Sequence, residues 1–287
     1  MSKLKRVLAI HDLSCVGKCS LTEALPVISS AGIECSVLPT SILSTHTGGF
    51  KGYTFLDLTK EMSKIVEHFK SLNLDVDCFY TGYLGSIDQI DLIINIIKKL
   101  KKDDSLVFVD PVMADNGKMY PAFDINFAKA MVNLAKISDC LVPNLTEACF
   151  LLGIDYIGER KYSLEDVKDI AIKLSNLGPK YVVISGLEIY ENRLGLVSYD
   201  KENNKFDYID NKKEEGYFHG TGDLLASSIL SCLLNGLTLE KACKTSIKFV
   251  YSSVLSTIEN RTDLKYGVDF EHNIFNFVKD ILESKNE

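Results

Sequence analysis

No C-x-x-C pair occurs among the eight cysteines, at 15, 19, 35, 78, 140, 149, 232 and 243, which argues against a structural zinc site. Most sit in apolar surroundings, as in Asp77-Cys78-Phe79 and Ala148-Cys149-Phe150, and buried free thiols are expected there. Apolar runs long enough to span a bilayer are absent. So is a basic-then-apolar leader. Ser2-Lys3-Leu4-Lys5-Arg6 runs straight into a strand-like stretch, and the expectation is a cytoplasmic protein without membrane association. Positive charge is also short. The formal net charge of −7 speaks against a nucleic-acid partner, and Lys98, Lys99, Lys101 and Lys102 read as a solvated helix C-terminus. No Gly-x-Gly-x-x-Gly follows the first apolar strand, which excludes the dinucleotide fingerprint. His11 to Lys18 ends in the Gly-Lys of a P-loop, but Asp12 stands where its leading Gly belongs and Cys19 where a Ser or Thr would hold magnesium. With no repeat, linker or low-complexity stretch, one domain over 1–287 is expected.

What is present is an ordinary globular composition, 46% apolar and 25% charged over 287 residues. Short apolar runs alternate with amphipathic stretches. Strands are expected at 7–10, 35–39, 76–80, 106–110, 140–142 and 181–185. Helices are expected at 18–31, 57–71, 88–102, 124–137 and 163–177. That alternation predicts βαβ units, a mostly parallel sheet and helices on both of its faces. Segments 188–190, 194–199 and 205–209, separated by Asp, Asn and Lys turns, predict a small antiparallel edge. Helices then return at 221–235, 238–257 and 270–283. In open parallel sheets ligands bind outside the carboxyl ends of the strands, and the polar motifs follow those ends.

Residues 220–223 carry the strongest signal. Gly220, Thr221, Gly222 and Asp223 open an apolar helix. Glycines admit close approach of a ligand to the backbone, and a helix start offers unpaired amides and a positive dipole end to an anion. Asp223 beside it suits acceptance of a proton from an attacking hydroxyl; the plainer reading makes it a helix cap. Asp12 and Ser14 follow the first strand as hydrogen-bonding groups for a small ligand, or as a polar turn. Ser41 to Tyr53, with Thr47 and three glycines, reads as a lid, mobile over 45–55, or as a solvent-exposed connection. Tyr83 offers a ring face to a planar ligand or packs in the core. Asp110 at a strand end, with Asp115 five residues on, suits magnesium and its waters. Asn144 and Glu147 alone read as a helix cap. Convergence of Asp110, Asn144, Glu147 and Asp223 at strand ends favours magnesium with a nucleotide phosphate.

These pieces in this order resemble the ribokinase-like superfamily, and within it the vitamin kinases, over roughly residues 5–260. Gly220-Thr221-Gly222-Asp223 matches the superfamily signature. Asp110-Pro111-Val112-Met113 and the Asn144…Glu147 pair match vitamin kinases, and Ser44 to Gly48 and Thr81 to Gly85 resemble pyridoxal/pyridoxamine kinases. The resemblance implies a three-layer fold and ATP-dependent phosphorylation of the 5′-hydroxymethyl of pyridoxal, pyridoxamine or pyridoxine. It implies Asp223 as base, with the amides of Gly220, Thr221, Gly222 and Asp223 around the transferring group. Asp110 and Glu147 would hold Mg2+ through waters, with Asn144 beside them. Asp115, Ser185 and Thr221 would help hold ATP. Asp12, Ser14, Thr47 and Tyr83 would surround the ring. A monovalent cation such as K+ and a homodimer are also implied. Ala114 stands where the family often has Gly, and the first loop partly resembles hydroxymethylpyrimidine kinases. A hydroxymethylpyrimidine (phosphate) kinase is therefore the alternative, and a vitamin-binding protein without turnover is a third reading.

Overall fold

A computed structural model describes residues 4–285, so Ser2 and Lys3 of the N-terminal run lie outside the described residues. Its contacts group into two compact units, residues 1–58 with 214–287, and residues 59–213.

The first unit opens with β1 (Arg6–Ser14), α1 (Leu21–Ser30), β2 (Glu34–Leu43) and β3 (Phe55–Asp57). β1 and β2 pair in parallel, with a register shift between His11 and Leu13, and β3 pairs antiparallel with β2. Both long strands outrun the sequence expectation. The polar residues 11–14 and 40–43 were expected as loop, yet Leu13 pairs with Ile42 and Ser14 with Leu43. Backbone pairing, indifferent to side-chain polarity, carries the strands on. The apolar stretch Val7–Ile10 is fully buried.

The second unit holds α2 (Thr59–Ser71), β4 (Cys78–Thr81), α3 (Ile87–Leu100), β5 (Leu106–Val109), β6 (Ala114–Asp115), β7 (Lys118–Met119), α4 (Ile125–Lys136), β8 (Cys140–Leu141), α5 (Leu145–Leu152), α6 (Leu164–Ser175), β9 (Tyr181–Leu187), β10 (Arg193–Asp200) and β11 (Lys205–Lys212). Strand order within it is β11-β10-β9-β8-β5-β4. β4, β5, β8 and β9 are parallel, while β10 and β11 form the antiparallel edge. Residues 188–190 are not the strand expected. β9 continues through Gly186, at φ 74°, to Leu187, which pairs with Gly195, so 188–190 becomes the hairpin connection. β6 and β7 form a separate short hairpin closed by Asn116 and Gly117, at φ 50° and 75°, the left-handed geometry such a turn needs.

The chain then returns to the first unit as α7 (Thr221–Leu234), α8 (Leu239–Asn260) and α9 (Ile274–Ser284). α7 is buried almost all round, as its apolar sequence requires. Ser227 and Ser231 satisfy their hydroxyls on carbonyls four residues back, at 2.7 and 2.8 Å. All eight cysteines are free; five are buried and Cys15 is exposed.

Candidate active site

In the first unit, α7 begins at Gly220, whose φ of 83° puts it in the left-handed region and whose cap has no side-chain acceptor. The amides of the first turn are left for an outside acceptor. A side chain at Gly220 would stand 2.4 Å from the Lys18 carbonyl and 2.5 Å from Glu23 Oε1, whereas one at Gly222 would meet nothing within 4 Å. Gly220 is thus demanded by the fold. Gly222 is not, and the room above it is open to a ligand.

Asp223 is not the cap of its own helix. Its Oδ2 accepts the amide of Ser20, at the start of α1, at 2.9 Å. Ser20 holds φ 49° and ψ −127°, a strained conformation for a residue with a side chain. The Ser20 side chain also bonds Asp12, and Ser14 donates to Asp12 Oδ2 at 3.0 Å. Ser20 therefore ties Asp12, Ser14 and Asp223 into one cluster. Burial pushes the Asp223 carboxyl up to about 7; the Ser20 amide pulls down and the Asp12 charge pushes up. Part of Asp223 stays open to solvent. A carboxylate of that basicity suits proton acceptance near neutrality. Asp12 is also raised, first by burial.

The loop after β2 is pinned by His46. Its Nδ1 accepts the Gly48 amide at 3.1 Å, so its Nε2 carries the proton, donated to the Lys265 carbonyl at 2.7 Å. Burial lowers its pKa, in keeping with that neutral tautomer. The His219 ring lies against the backbone of Gly48 and tilts over His46, with ring centroids 5.2 Å apart. Thr47 is exposed in this loop. Lys18 is spent on Asp269 and Glu271, at 2.8 and 3.3 Å.

In the second unit the parallel register lines up the carboxyl ends. Asp110 donates its amide to the Thr81 carbonyl, Val142 to Val109, and Ser185 to Pro143, while Asn144 bridges Ser185. Asp110, Asn144 and Ser185 thus stand on neighbouring strand ends. Asn144 and Glu147 form a complete capping box on α5. Glu147 does more than cap. Its Oε2 accepts the Asn144 amide at 2.9 Å, and its Oε1 accepts the amides of Met113 and Ala114 at 3.0 and 3.5 Å. That carboxyl ties α5 to the loop after β5. Burial raises it to about 8 against those amides, and Asp115 pushes the same way. Gly117 donates to Thr146 Oγ1 at 2.9 Å, which seats the hairpin carrying Asp115. The Tyr83 ring packs on Phe123 at 5.5 Å.

Asp110 and Glu147 fit Mg2+ held through waters. Among the described residues no three His, Cys, Asp or Glu side chains converge as an all-protein cage. Buried Asp and Glu carboxyl groups are the usual protein share of a site completed by waters and phosphate oxygens, where the cation's charge draws the proton off a raised carboxyl. Ser20, Glu23, His219 and Thr146 were not singled out from the sequence. Ser20 and Glu23 carry a signal together, the Ser-x-x-Glu spacing of a helix start.

A sequence model of the phosphomethylpyrimidine kinase family matches residues 25–268. A pyridoxal kinase of Arabidopsis thaliana is 30% identical over 78% of this chain and 73% of its own. The chain belongs to this family of vitamin kinases, with the pyridoxal kinases. Solved structures agree. A candidate phosphomethylpyrimidine kinase from Bacteroides thetaiotaomicron is 35% identical, with a TM-score of 0.93 over 96% of this chain and 94% of that one; another structure so described from that organism contains pyridoxal. Pyridoxal kinase from Lactobacillus plantarum is 30% identical, with a TM-score of 0.88 over 96% and 98%. The fold is ribokinase-like, α/β with a mostly parallel sheet and an antiparallel edge, and the protein is a kinase. No helix among the described residues is long and apolar enough to cross a membrane.

Proposed function

We propose that this kinase transfers the γ-phosphoryl group of ATP to the 5′-hydroxymethyl of a B6 vitamer: pyridoxal, pyridoxamine or pyridoxine. The observation that carries the reading is Asp223, held by the Ser20 amide at the start of α7 and raised to about 7. The substrate hydroxyl gives its proton to Asp223 as its oxygen attacks phosphorus in line. The amides of Gly220, Thr221, Gly222 and Asp223 take up the charge on the transferring group. Asp12 and Ser14 orient the ring, with Thr47 and Tyr83 as further ring contacts. Asp115, Asn144, Ser185 and Thr221 are assigned to ATP. Asp110 and Glu147 would hold Mg2+, which neutralises phosphate charge when bound. K+ as a second cation, a homodimer and a cytoplasmic place belong to the same proposal. So does a single kinase domain over 1–287, supported by one family match that runs from 25 to 268, through both units.

The rival is a hydroxymethylpyrimidine (phosphate) kinase, favoured by the name of the matched family. Phosphorylation of a phosphate ester needs a cation for the first phosphate. Lys18 and Lys51 are the nearby candidates; Lys18 is committed to Asp269 and Glu271, which leaves Lys51, exposed in the loop after β2, and weakly favours the B6 reading. Coupled ADP release with MgATP tests both, against the three vitamers, hydroxymethylpyrimidine and its phosphate. Turnover of the vitamers is expected. Turnover of the pyrimidines alone overturns the substrate assignment, and binding without ADP release would point to a vitamin-binding protein.

A further inference from the structure

α1 starts with Ser20-Leu21-Thr22-Glu23, the spacing of a capping box. In a closed box the glutamate accepts the cap residue's amide, as Glu147 accepts that of Asn144 on α5. On α1 the box is open. Asp223 takes the Ser20 amide, and Ser20 makes no side-chain cap. Glu23 is left 0% exposed with neither oxygen hydrogen-bonded. Its carboxyl does not point away from the chemistry. A side chain at Gly220 would stand 2.5 Å from Oε1 and 3.0 Å from the carboxyl carbon, so Glu23 packs directly against the first glycine of the anion-binding turn.

A buried carboxylate without donors is strongly disfavoured against its neutral acid. The charges that face Glu23 do not rescue the anion. Asp223 on α7 and Glu271 in the turn before α9 repel it, and Lys18 attracts it. Lys18 is itself bound to Asp269 and Glu271. Burial and then the charges of Asp12 and Asp223 push the neighbouring Cys19 thiol well up, so it adds no charge beside Glu23. Asp223 in turn faces Asp12.

We propose that Glu23 is a positioning residue for the transfer: as a neutral acid packed on Gly220 it leaves Asp223 as the pair's single negative charge, and its ionisation shuts the anion hole. Burial and then the Asp223 charge push the Glu23 carboxyl well above its ordinary value, offset in part by Lys18, in agreement with the packing. Two ionised carboxylates there would repel the incoming phosphoryl oxygens, so activity falls once Glu23 loses its proton. The pair titrates as a unit in which Asp223 ionises first.

The inference rests on the kinase reading for its kinetics and on spectroscopy for its premise. Infrared spectra of wild type and Glu23→Gln near neutral pH are expected to differ by a protonated-carboxyl C=O band present only in the wild type. Absence of that difference overturns the proposal, whatever substrate the enzyme takes. Turnover of the vitamers is then followed from about pH 6 to about pH 10. Glu23→Gln is expected to keep the acid limb near 7 that reports Asp223 and to shift the alkaline limb upward by about one unit or more, a tenfold gain on that limb. An unmoved alkaline limb reduces Glu23 to a filler. An acid limb that falls by a similar amount means Glu23 is charged in the resting enzyme; either result refutes the idea. If the variant does not fold, the wild-type band itself decides, because it must vanish with rising pH in step with turnover. Failure of the wild type to phosphorylate any vitamer refutes the kinase reading and leaves the infrared result standing.

Discussion

Gly220 and Gly222 should respond to alanine in opposite ways. At Gly220 the new Cβ meets the Lys18 carbonyl at 2.4 Å and Glu23 Oε1 at 2.5 Å, at a φ of 83°. The left-handed conformation alone costs about 1–2 kcal/mol for a residue with a Cβ, and overpacking adds about 1–3 kcal/mol. The Lys18 oxygen is backbone and cannot swing aside. Gly220→Ala should therefore lose roughly 2–5 kcal/mol, a fall in Tm of roughly 3–8 °C at this size. At Gly222 the Cβ meets nothing within 4 Å. Alanine is the better helix former by up to about 1 kcal/mol, so Gly222→Ala should be as stable as the wild type or slightly more so. Its kinetics should not survive. If the transferring phosphoryl group sits on the first-turn amides, the methyl takes its room, and displacement of about 1 Å costs on the order of 100-fold in rate. Differential scanning calorimetry and steady-state kcat/KM on both variants separate the effects. A stable Gly222→Ala with wild-type kcat/KM would refute the anion-hole assignment; a Gly222→Ala that unfolds would refute the steric reasoning.

Asp223→Asn should lower kcat by about 10²- to 10⁴-fold, the usual worth of a general base, with nucleotide affinity retained by calorimetry; unchanged turnover would remove Asp223 from the chemistry. Because Asp223 acts as the anion and titrates at about 7, wild-type kcat/KM should fall about tenfold per unit below that pH, and a profile flat down to about 5 would contradict the burial argument. Glu147→Gln should raise the Mg2+ concentration for half-maximal rate by about 10- to 100-fold and, by spoiling the α5 cap, cost about 0.5–2 kcal/mol of stability; an unaltered Mg2+ titration would leave Glu147 a cap alone. Lys18→Met should destabilise the protein by about 1–3 kcal/mol, because Asp269 Oδ1 loses its cation while Oδ2 keeps Thr262 and Asn260. Asp269 is raised by burial, but bonds from Lys18, Thr262 and Asn260 outweigh that and hold it at about 2. A depressed carboxyl stabilises above its unfolded pKa near 3.9 and loses that contribution as pH falls towards 2, so the Lys18→Met deficit should shrink in acid melts. If the variant instead melts like the wild type and loses turnover of hydroxymethylpyrimidine phosphate, the rival substrate gains.

Much of the α/β alternation was legible because buried parallel strands and amphipathic helices write different periods into the chain. The boundaries that failed did so for one reason. At 11–14 and 40–43 the pairing of β1 with β2 resumes past a register shift at His11/Leu13, with Leu13 on Ile42 and Ser14 on Leu43, although polar side chains interrupt the apolar run, and at 185–186 a Ser-Gly pair masks the continuation of β9 to Leu187. Hydrophobic pattern reports the burial of side chains; ladders are made by amides, which every residue but proline carries. The edge strand β3 was missed on the same account. Its three residues are all exposed, so no alternation marks them.

The site divides along a similar line. Asp223, Asn144 and Glu147 could be picked out because their motifs are local, a Gly-rich helix start and a box closed within four residues. Ser20 and Glu23 show how far local reading goes. Ser20…Glu23 and Asn144…Glu147 have the same spacing, and both begin helices. The second closes on itself, and its glutamate accepts backbone amides. The first is opened by Asp223, 203 residues away, which takes the amide that Glu23 would have accepted. Spacing therefore predicts the helix in both cases and the electrostatics in only one. The state of Glu23 depends on which carboxylate wins a single N–H, and that competition exists only once α1 and α7 have packed.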